Sequence, residues 1–190
     1  TPEMSGLLDR DRARAAAHIL PETDHPVLSA VQEAARNTGV WVHLGSLALA
    51  GEGRSLNRGF LIGPDGKITA RYDKLHLFDV DLPTGESWRE SADYQPGRNT
   101  IIAPTPMGQL GLSICYDLRF PALYQALSAA GAEVLAVPAA FTVPTGEAHW
   151  HVLLRARAIE NASWVVAAAQ CGRIPVLAHR RAIPIVNVVP

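Results

Sequence analysis

Residues 111–123, GLSICYDLRFPAL, place a cysteine at the point where a short apolar strand gives way to a helix. The strand pattern covers 110–114, and Pro121 suits the first turn of a helix because its missing N–H would lack a partner there in any case. A thiol at such a turn is presented to a ligand, whereas a thiol within a strand only packs. Free cysteine is among the most buried residue types. This window alone therefore favours packing for Cys115, and the motifs elsewhere in the chain reverse that preference.

Apolar runs alternate with helical patterns on both sides of this window. The sequence predicts helices over 26–36 and 149–161 and buried strands over 40–50, 133–137 and 164–171. Two further strands, 58–62 and 67–72, flank the turn sequence Pro64-Asp65-Gly66, which predicts a hairpin. Strands that alternate with helices indicate an α/β fold whose sheet is covered by helices on at least one face, and the hairpin makes that sheet mixed.

Composition limits the classes of protein that the chain fits. Its 190 residues suggest a single domain, 1–190, with 174–190 as an extended C-terminal arm. A hydrophobic share of 48% and a formal net charge of −1 argue against a disordered chain and against a nucleic-acid binder. No membrane-spanning run and no signal peptide are visible, so we expect a soluble, cytoplasmic protein that does not act at a membrane. Cys171, the only other cysteine, is expected to pack at a strand end, and no disulfide framework is predicted.

Three charged residues are candidates to act together with Cys115. They are Glu3 near the start of the chain, Lys74 at the end of the hairpin strand and Glu90 in the loop 81–98. Each has an ordinary explanation by itself, because such glutamates face water and a lysine at a strand end protects an edge. Spacing does not link them, since they are scattered along the chain.

Four sequence runs, in this order, resemble the nitrilase superfamily of carbon–nitrogen hydrolases and its Nit amidase subgroup in particular. They are TPEM (1–4), YDKLHLF (72–78), CYDLRFP (115–121) and PAAFTVPTGEAHWHVLLRARAIEN (138–161). The resemblance covers 1–173 and implies a four-layer α-β-β-α sandwich with a Glu-Lys-Cys catalytic triad. By motif position it assigns the triad to Glu3, Lys74 and Cys115, and it matches a second glutamate of the family to Glu90.

The implied chemistry suits these residue types. Cys115 would be the nucleophile, and Glu3 would be the base that takes the thiol proton and later activates water. Lys74 and the backbone N–H of Tyr116 would bind the oxyanion, and the charge of Lys74 would also favour the thiolate. Glu90 would orient Lys74 or the substrate amide. The expected course is an acyl-thioester on Cys115, release of ammonia and hydrolysis to a carboxylic acid.

The residues after the cysteine favour one branch of the family. True nitrilases typically carry Trp-Glu there, whereas this chain has Tyr116-Asp117, which favours an amide over a nitrile. Arg119 and Phe120 resemble the Nit pattern, and Phe141-Thr142 resembles the start of the loop that lines the pocket in that subgroup, so Arg119, Phe141 and Thr142 are candidate substrate-binding residues. They imply a small ω-amide with a carboxylate, such as deaminated glutathione or α-ketoglutaramate, and an arginine is well suited to holding a carboxylate. Asp117 is expected to be a structural hydrogen-bonding group.

Neither a metal nor an organic cofactor is predicted. His149 and His151 lie two apart on a predicted helix, so they project in different directions and do not share a metal. Arg155, Arg157 and Glu160 are expected to pair along one helix face.

Other interpretations stay open. The same triad fits an N-carbamoyl amino acid amidohydrolase, and an interaction module that has lost catalysis is the alternative from a different class. Family members are often dimers or larger, which predicts a homo-oligomer. The family pattern also has a strand and a helix before the Glu motif and further elements before the C-terminal tail. We therefore expect segments of the family domain to be omitted from this sequence.

Overall fold

The computed structural model describes residues 1–9, 11–81, 85, 87–170, 172–173, 181–182 and 185–189. Its α-helices are α1 (Arg12–Ala16), α2 (Pro26–Thr38), α3 (Pro121–Ala129) and α4 (Val143–Asn161). Within these described ranges, no helix is long and apolar enough to cross a membrane.

The strands of the described residues form two main sheets and two small hairpins. In chain order they are β1 (Val42–Leu49), β2 (Leu56–Ile62), β3 (Ile68–Asp73), β4 (Asp79–Asp81), β5 (Ser87–Arg89), β6 (Ile102–Thr105), β7 (Gly108–Leu112), β8 (Val134–Ala136), β9 (Trp164–Ala169), β10 (Gly172–Arg173), β11 (Arg181–Ala182) and β12 (Ile185–Val189). The first main sheet has the order β1-β2-β3 and is antiparallel. Its second connection is the predicted hairpin, which turns at Gly66 with φ of 76°. The small hairpins pair β4 with β5 and β10 with β11.

The second main sheet has the order β12-β9-β8-β7-β6. Strands β7, β8 and β9 are parallel to one another, while β6 and β12 pair antiparallel at the two edges. The carboxyl ends of parallel strands meet at one edge of a sheet, where ligands bind in open α/β sheets. The residues that follow β7, β8 and β9 are therefore brought together.

The two sheets pack face to face between outer helices. Helix α2 buries Leu28 and Ala35 against the outer face of the first sheet. The other face of that sheet contributes Leu61 and Tyr72 to the larger core, which also holds β7, β8, β9 and the buried faces of α3 and α4. Helix α4 contributes Trp150 to this core. This gives the layer order α-β-β-α, and the predicted fold class is confirmed.

The predicted C-terminal arm, 174–190, is partly described. Its strand β12 is extended and pairs antiparallel with β9, from Ile185 opposite Ala169 to Val189 opposite Val165. This part of the arm lies along an edge of the second sheet and does not stand free. The remainder of the arm outside β11 and β12, together with Cys171, lies outside the described residues.

Candidate active site

Cys115 opens a short 3-10 helix, Cys115–Arg119, which joins β7 to α3. Its backbone lies in the left-handed region with φ of 49°, a conformation that costs energy for a residue with a Cβ. The Cys115 N–H donates to the carbonyl oxygen of Pro138 at 2.8 Å, which ties this turn to the end of β8. The predicted strand-to-helix turn is confirmed, and Cys115 lines a cavity.

A buried carboxylate holds the turn in place. Oδ2 of Asp117 accepts hydrogen bonds from the N–H of Ile114 at 2.8 Å and from the hydroxyl of Tyr72 at 2.7 Å. Oδ1 accepts from the N–H of His76 at 2.9 Å and lies 2.7 Å from Nδ1 of the same residue. Burial, and then the charge of Asp117, raise the pKa of Tyr72 well above its ordinary value, so the phenol stays neutral and donates. The structural role expected for Asp117 is confirmed.

Glu3 is fixed by hydrogen bonds to both main sheets. The N–H of Met4 donates to Oγ of Ser46 in β1 at 2.9 Å, and Nε2 of Gln170, just beyond β9, donates to the carbonyl oxygen of Glu3 at 3.0 Å. The Glu3 carboxylate is buried, and its Oε2 accepts the N–H of Ala140 at 3.1 Å. The expected glutamate base therefore has a defined position between the two sheets.

Lys74 follows β3 and is only 2% exposed. Its Nζ lies 2.8 Å from Oε1 of Glu3 and 2.9 Å from Oε2 of Glu90. Glu90 is held in turn by the N–H of Phe78, which donates to its Oε2 at 2.7 Å. Burial lowers the pKa of Lys74, but the charges of Glu3 and Glu90 outweigh burial and hold it well above its ordinary value. Lys74 is therefore a fixed cation, and Glu90 helps to position it.

The Cys115 thiol keeps its proton at rest. Burial and then the charge of Glu3 raise the pKa of Cys115 well above its ordinary value, whereas Lys74 acts in the opposite direction. The effect expected from Lys74 thus has the predicted sign but is outweighed. A protonated thiol needs a base, and Glu3, whose charge acts on the thiol, is the candidate for that role.

Asn57 of β2 is a site residue that the sequence analysis does not identify. Its Nδ2 donates to Oε1 of Glu3 and to Oε1 of Glu90, at 3.0 Å each. Asn57 is only 1% exposed. The predicted strand begins at 58, whereas β2 begins at Leu56, so Asn57 fell just outside the prediction and its side chain carried no signal of burial.

All eight predicted site residues line one cavity of about 820 Å³. They are Glu3, Lys74, Glu90, Cys115, Tyr116, Arg119, Phe141 and Thr142. The guanidinium carbon of Arg119 lies 5.5 Å from the ring centre of Phe141 and 6.0 Å from that of Tyr116. Its Nη1 is 3.2 Å from Nδ1 of His149. In the part of the chain that the structure describes, Arg119 forms no salt bridge with a carboxylate.

Arg157 corrects one prediction. It pairs with Glu160, as expected, but it is buried and not on a solvent-facing helix surface. Its Nε donates to the carbonyl oxygen of Leu118 at 3.0 Å, so α4 braces the 3-10 helix that carries the cysteine. No salt bridge involving Arg155 occurs among the described residues.

The chain belongs to the carbon–nitrogen hydrolase family, whose model matches residues 2–183. It is 49% identical over 177 residues to the deaminated glutathione amidase of Yersinia enterocolitica, covering 91% of this chain and 62% of that protein. The chain thus spans less than two thirds of that relative's length.

Solved structures share the fold. The Caenorhabditis elegans NitFhit protein matches with a TM-score of 0.86 and 39% identity, over 99% of this chain and 46% of that chain. An amidase from Nesterenkonia sp. matches with a TM-score of 0.81 and 26% identity, over 100% of this chain and 67% of that chain. In that structure, a mutant carries the acetamide moiety of fluoroacetamide covalently on the active-site cysteine. The resemblance to the nitrilase superfamily is confirmed.

Proposed function

We propose that this chain carries the catalytic centre of a cysteine-dependent amidase that hydrolyses a small ω-amide carboxylic acid, of the deaminated glutathione or α-ketoglutaramate type. The observation that carries the proposal is the convergence of Cys115, Glu3 and Lys74 in one cavity, with Lys74 Nζ 2.8 Å from Glu3. A nucleophile, a base and a cation are the groups that acyl transfer from an amide requires.

Acylation begins when Glu3 takes the thiol proton and Sγ of Cys115 attacks the amide carbon, forming a C–S bond. The carbonyl oxygen gains the negative charge, and Nζ of Lys74 and the N–H of Tyr116 stabilise it. One such donor is worth roughly 3 kcal/mol in the transition state. The proton held by Glu3 then passes to the amide nitrogen, the C–N bond breaks, and ammonia leaves.

Deacylation uses the same groups. Glu3 takes a proton from water, the resulting oxygen nucleophile attacks the thioester carbon, and the oxyanion again lies between Lys74 and Tyr116. The C–S bond then breaks, the carboxylic acid leaves, and the proton returns to Cys115. No step of this reaction requires a metal or an organic cofactor. That the protein uses neither stays a prediction.

The choice of substrate class depends on Arg119 and on the size of the cavity. A volume of about 820 Å³ is ample for a small amide acid. The guanidinium of Arg119 lies beside Phe141 and has no carboxylate partner among the described residues, so it is available to pair with a substrate carboxylate. The deaminated glutathione amidase name of the Yersinia relative supports the same class.

Ammonia release tests the proposal. The purified protein is incubated with deaminated glutathione, α-ketoglutaramate and several N-carbamoyl amino acids. Turnover of an ω-amide that is lost in Cys115→Ala and Glu3→Gln, but retained in the exposed α2 control Glu33→Gln, supports the proposed reaction. Turnover of the N-carbamoyl compounds alone would indicate the amidohydrolase alternative. Absence of turnover with every compound would favour an interaction module without catalysis.

Assembly into a homo-oligomer also stays a prediction. Helix α4 exposes Val152 and Ile159, and Trp164 follows at the start of β9. Such apolar exposure is compatible with burial against a second copy of the chain. Light scattering coupled to size-exclusion chromatography would give the mass, and a monomeric mass would contradict the prediction.

A further inference from the structure

Asn57 joins the two carboxylates of the site. It lies on β2, opposite Ala48 of β1, and its carbonyl oxygen accepts the N–H of Lys74 at 3.0 Å. Its side-chain amide has two hydrogens. With both distances at 3.0 Å, one hydrogen is directed at Oε1 of Glu3 and the other at Oε1 of Glu90.

The other end of the same amide has no partner. Oδ1 of Asn57 is buried and accepts no hydrogen bond from the described residues. Exchanging the amide nitrogen and oxygen would point that oxygen at two carboxylates, so the orientation is fixed by its neighbours. An unpaired buried carbonyl is costly. Packing alone does not explain why this unpaired oxygen is kept. Donation by the same amide to Glu3 and Glu90 does explain it.

The charges around Asn57 explain why a neutral donor suits this position. Glu3 and Glu90 supply two negative charges, and Lys74 supplies one positive charge between them. A second cation would compete for the lone pairs with which Glu3 accepts the thiol proton. An apolar residue would remove one donor from each buried carboxylate, leaving Lys74 with the N–H of Ala140 for Glu3 and with the N–H of Phe78 for Glu90. Two neutral N–H groups stabilise both carboxylates without adding charge.

We propose that Asn57 is a positioning residue that ties Glu3 to Glu90 and holds the Glu3 carboxylate in its orientation toward Cys115. Asn57 holds Oε1 of Glu3 together with Lys74, and the N–H of Ala140 holds Oε2. The carboxylate plane is thereby fixed at both oxygens. This inference rests on the proposed amidase reaction, in which Glu3 takes the thiol proton.

Several titratable groups respond together at this site. Lys74 and Cys115 face Glu3 directly, and Glu90 faces it through Asn57. Tyr94 is also close enough to respond, and burial, followed by the charge of Glu90, raises its pKa to about 12. A pH profile therefore reports on the cluster and not on one residue.

The experiment compares the pH dependence of two reactions in the wild-type protein, Asn57→Leu and Asn57→Asp. The first reaction is alkylation of Cys115 by iodoacetamide, followed by mass spectrometry of the Cys115 peptide from pH 4 to 10, which needs no amide substrate. The second is kcat/KM for amide hydrolysis. The control is Ser163→Ala, which removes a buried hydroxyl that donates to the carbonyl of Asn161 at 2.9 Å, outside the cavity lining.

Loss of a donor to a carboxylate favours its protonated form. The acid limb is the part of the pH profile in which Cys115 alkylation slows as the pH falls. We expect it to move to higher pH by about one unit in Asn57→Leu. In Asn57→Asp it should move further, because a third carboxylate is added. In Ser163→Ala the limb stays in place. If Asn57→Leu does not fold, Asn57→Asp keeps the shape of the side chain, and an acid limb that stays in place in this variant still overturns the inference. The kcat/KM for amide hydrolysis should fall by about tenfold or more in both variants.

An acid limb that stays at the wild-type pH in the folded Asn57 variants would overturn the inference, even if activity fell uniformly, because that is the result of a merely structural role. The alkylation profile keeps this outcome separate from the proposed function. If the wild-type protein hydrolyses none of the amides, the proposed function fails. The acid limb of Cys115 alkylation can still be measured in the Asn57 variants.

Discussion

At the scale of single residues, the site uses opposing effects on one thiol. Burial and the charge of Glu3 raise the pKa of Cys115, and the charge of Lys74 opposes them. The thiol therefore keeps its proton, and in the proposed reaction Glu3 removes that proton when the substrate is bound. A buried thiolate in the resting state would instead be open to any electrophile that entered the cavity.

Replacing Glu3 by Gln should separate these effects. The variant loses the negative charge that raises the pKa of Cys115 and keeps Lys74, so the alkaline rise of Cys115 alkylation should move to lower pH by about one to two units. Amide hydrolysis should be lost, because the base is gone. Iodoacetamide labelling followed from pH 6 to 11 measures the shift, with Glu33→Gln as the matched carboxylate control. An unchanged profile would mean that the charge of Glu3 does not act on the thiol.

At the scale of elements, the site depends on how closely the N-terminal segment packs against β1. A Cβ built on Gly45 would lie 2.3 Å from the carbonyl oxygens of Thr1 and Pro2 and 2.6 Å from the Cβ of Pro138. Glycine in β1 therefore permits an approach that brings Glu3 between the two sheets. The carboxyl ends of β7, β8 and β9 supply the opposite side of the site.

Gly45→Ala should displace the segment that carries Glu3. Overlap with two backbone oxygens is not relieved by a rotamer change, so we expect a loss of about 1–3 kcal/mol in the free energy of unfolding. Ammonia release should fall by at least about a hundredfold, as a misplaced catalytic group commonly causes. Urea unfolding and the ammonia assay measure the two effects.

Gly39→Ala is the control for that variant. Gly39 ends α2 with φ of 68° and has open space around it, so the substitution should cost about 1 kcal/mol through backbone conformation alone. Activity should be retained. Full activity in Gly45→Ala would show that the close approach does not position Glu3.

At the scale of the whole molecule, several buried groups have a higher pKa in the folded protein than in the unfolded chain. Burial is the leading cause that raises the pKa of Cys115, Tyr72, Tyr94 and Tyr124, and Glu3 and Glu90 raise that of Lys74 against the effect of its burial. All of these shifts have the same direction. Between each unfolded and folded pKa, the folded protein binds more protons than the unfolded chain, so stability falls as pH rises.

The protein should therefore be sensitive to alkali. The unfolded values are near 9.0 for the cysteine and 10.0 for the tyrosines, so the contribution of these groups to stability should be full below about pH 8.5 and decline above it. We expect Tm to fall by about 5 °C or more between pH 8 and pH 10.5. Differential scanning calorimetry measures this decline, and Tyr124→Phe should make it shallower. A Tm that stayed level over the range would contradict the prediction.

Much of this protein follows from local sequence. Apolar runs, the turn at 64–66 and prolines at helix starts were enough to predict α2, α3 and the strands β1 to β3 and β7 to β9, because these signals act over a few residues. Motif order was enough to propose Glu3, Lys74 and Cys115. Helix α4 begins at Val143, before its predicted start at 149, with Pro144 in its first turn, where the missing N–H of proline would lack a partner in any case.

Only the tertiary structure decided how the scattered residues meet. Asn57 joins Glu3 and Glu90 because its amide on β2 lies within hydrogen-bond distance of both carboxylates. Arg157 braces Leu118 because α4 packs against the cysteine turn. The net direction of the Cys115 pKa was likewise decided by burial, which no sequence window reports. Residue types by themselves determined which chemistry was available to this chain. Packing of the two sheets determined which charges face one another, since electrostatic interactions depend on distance and burial and not on spacing along the chain.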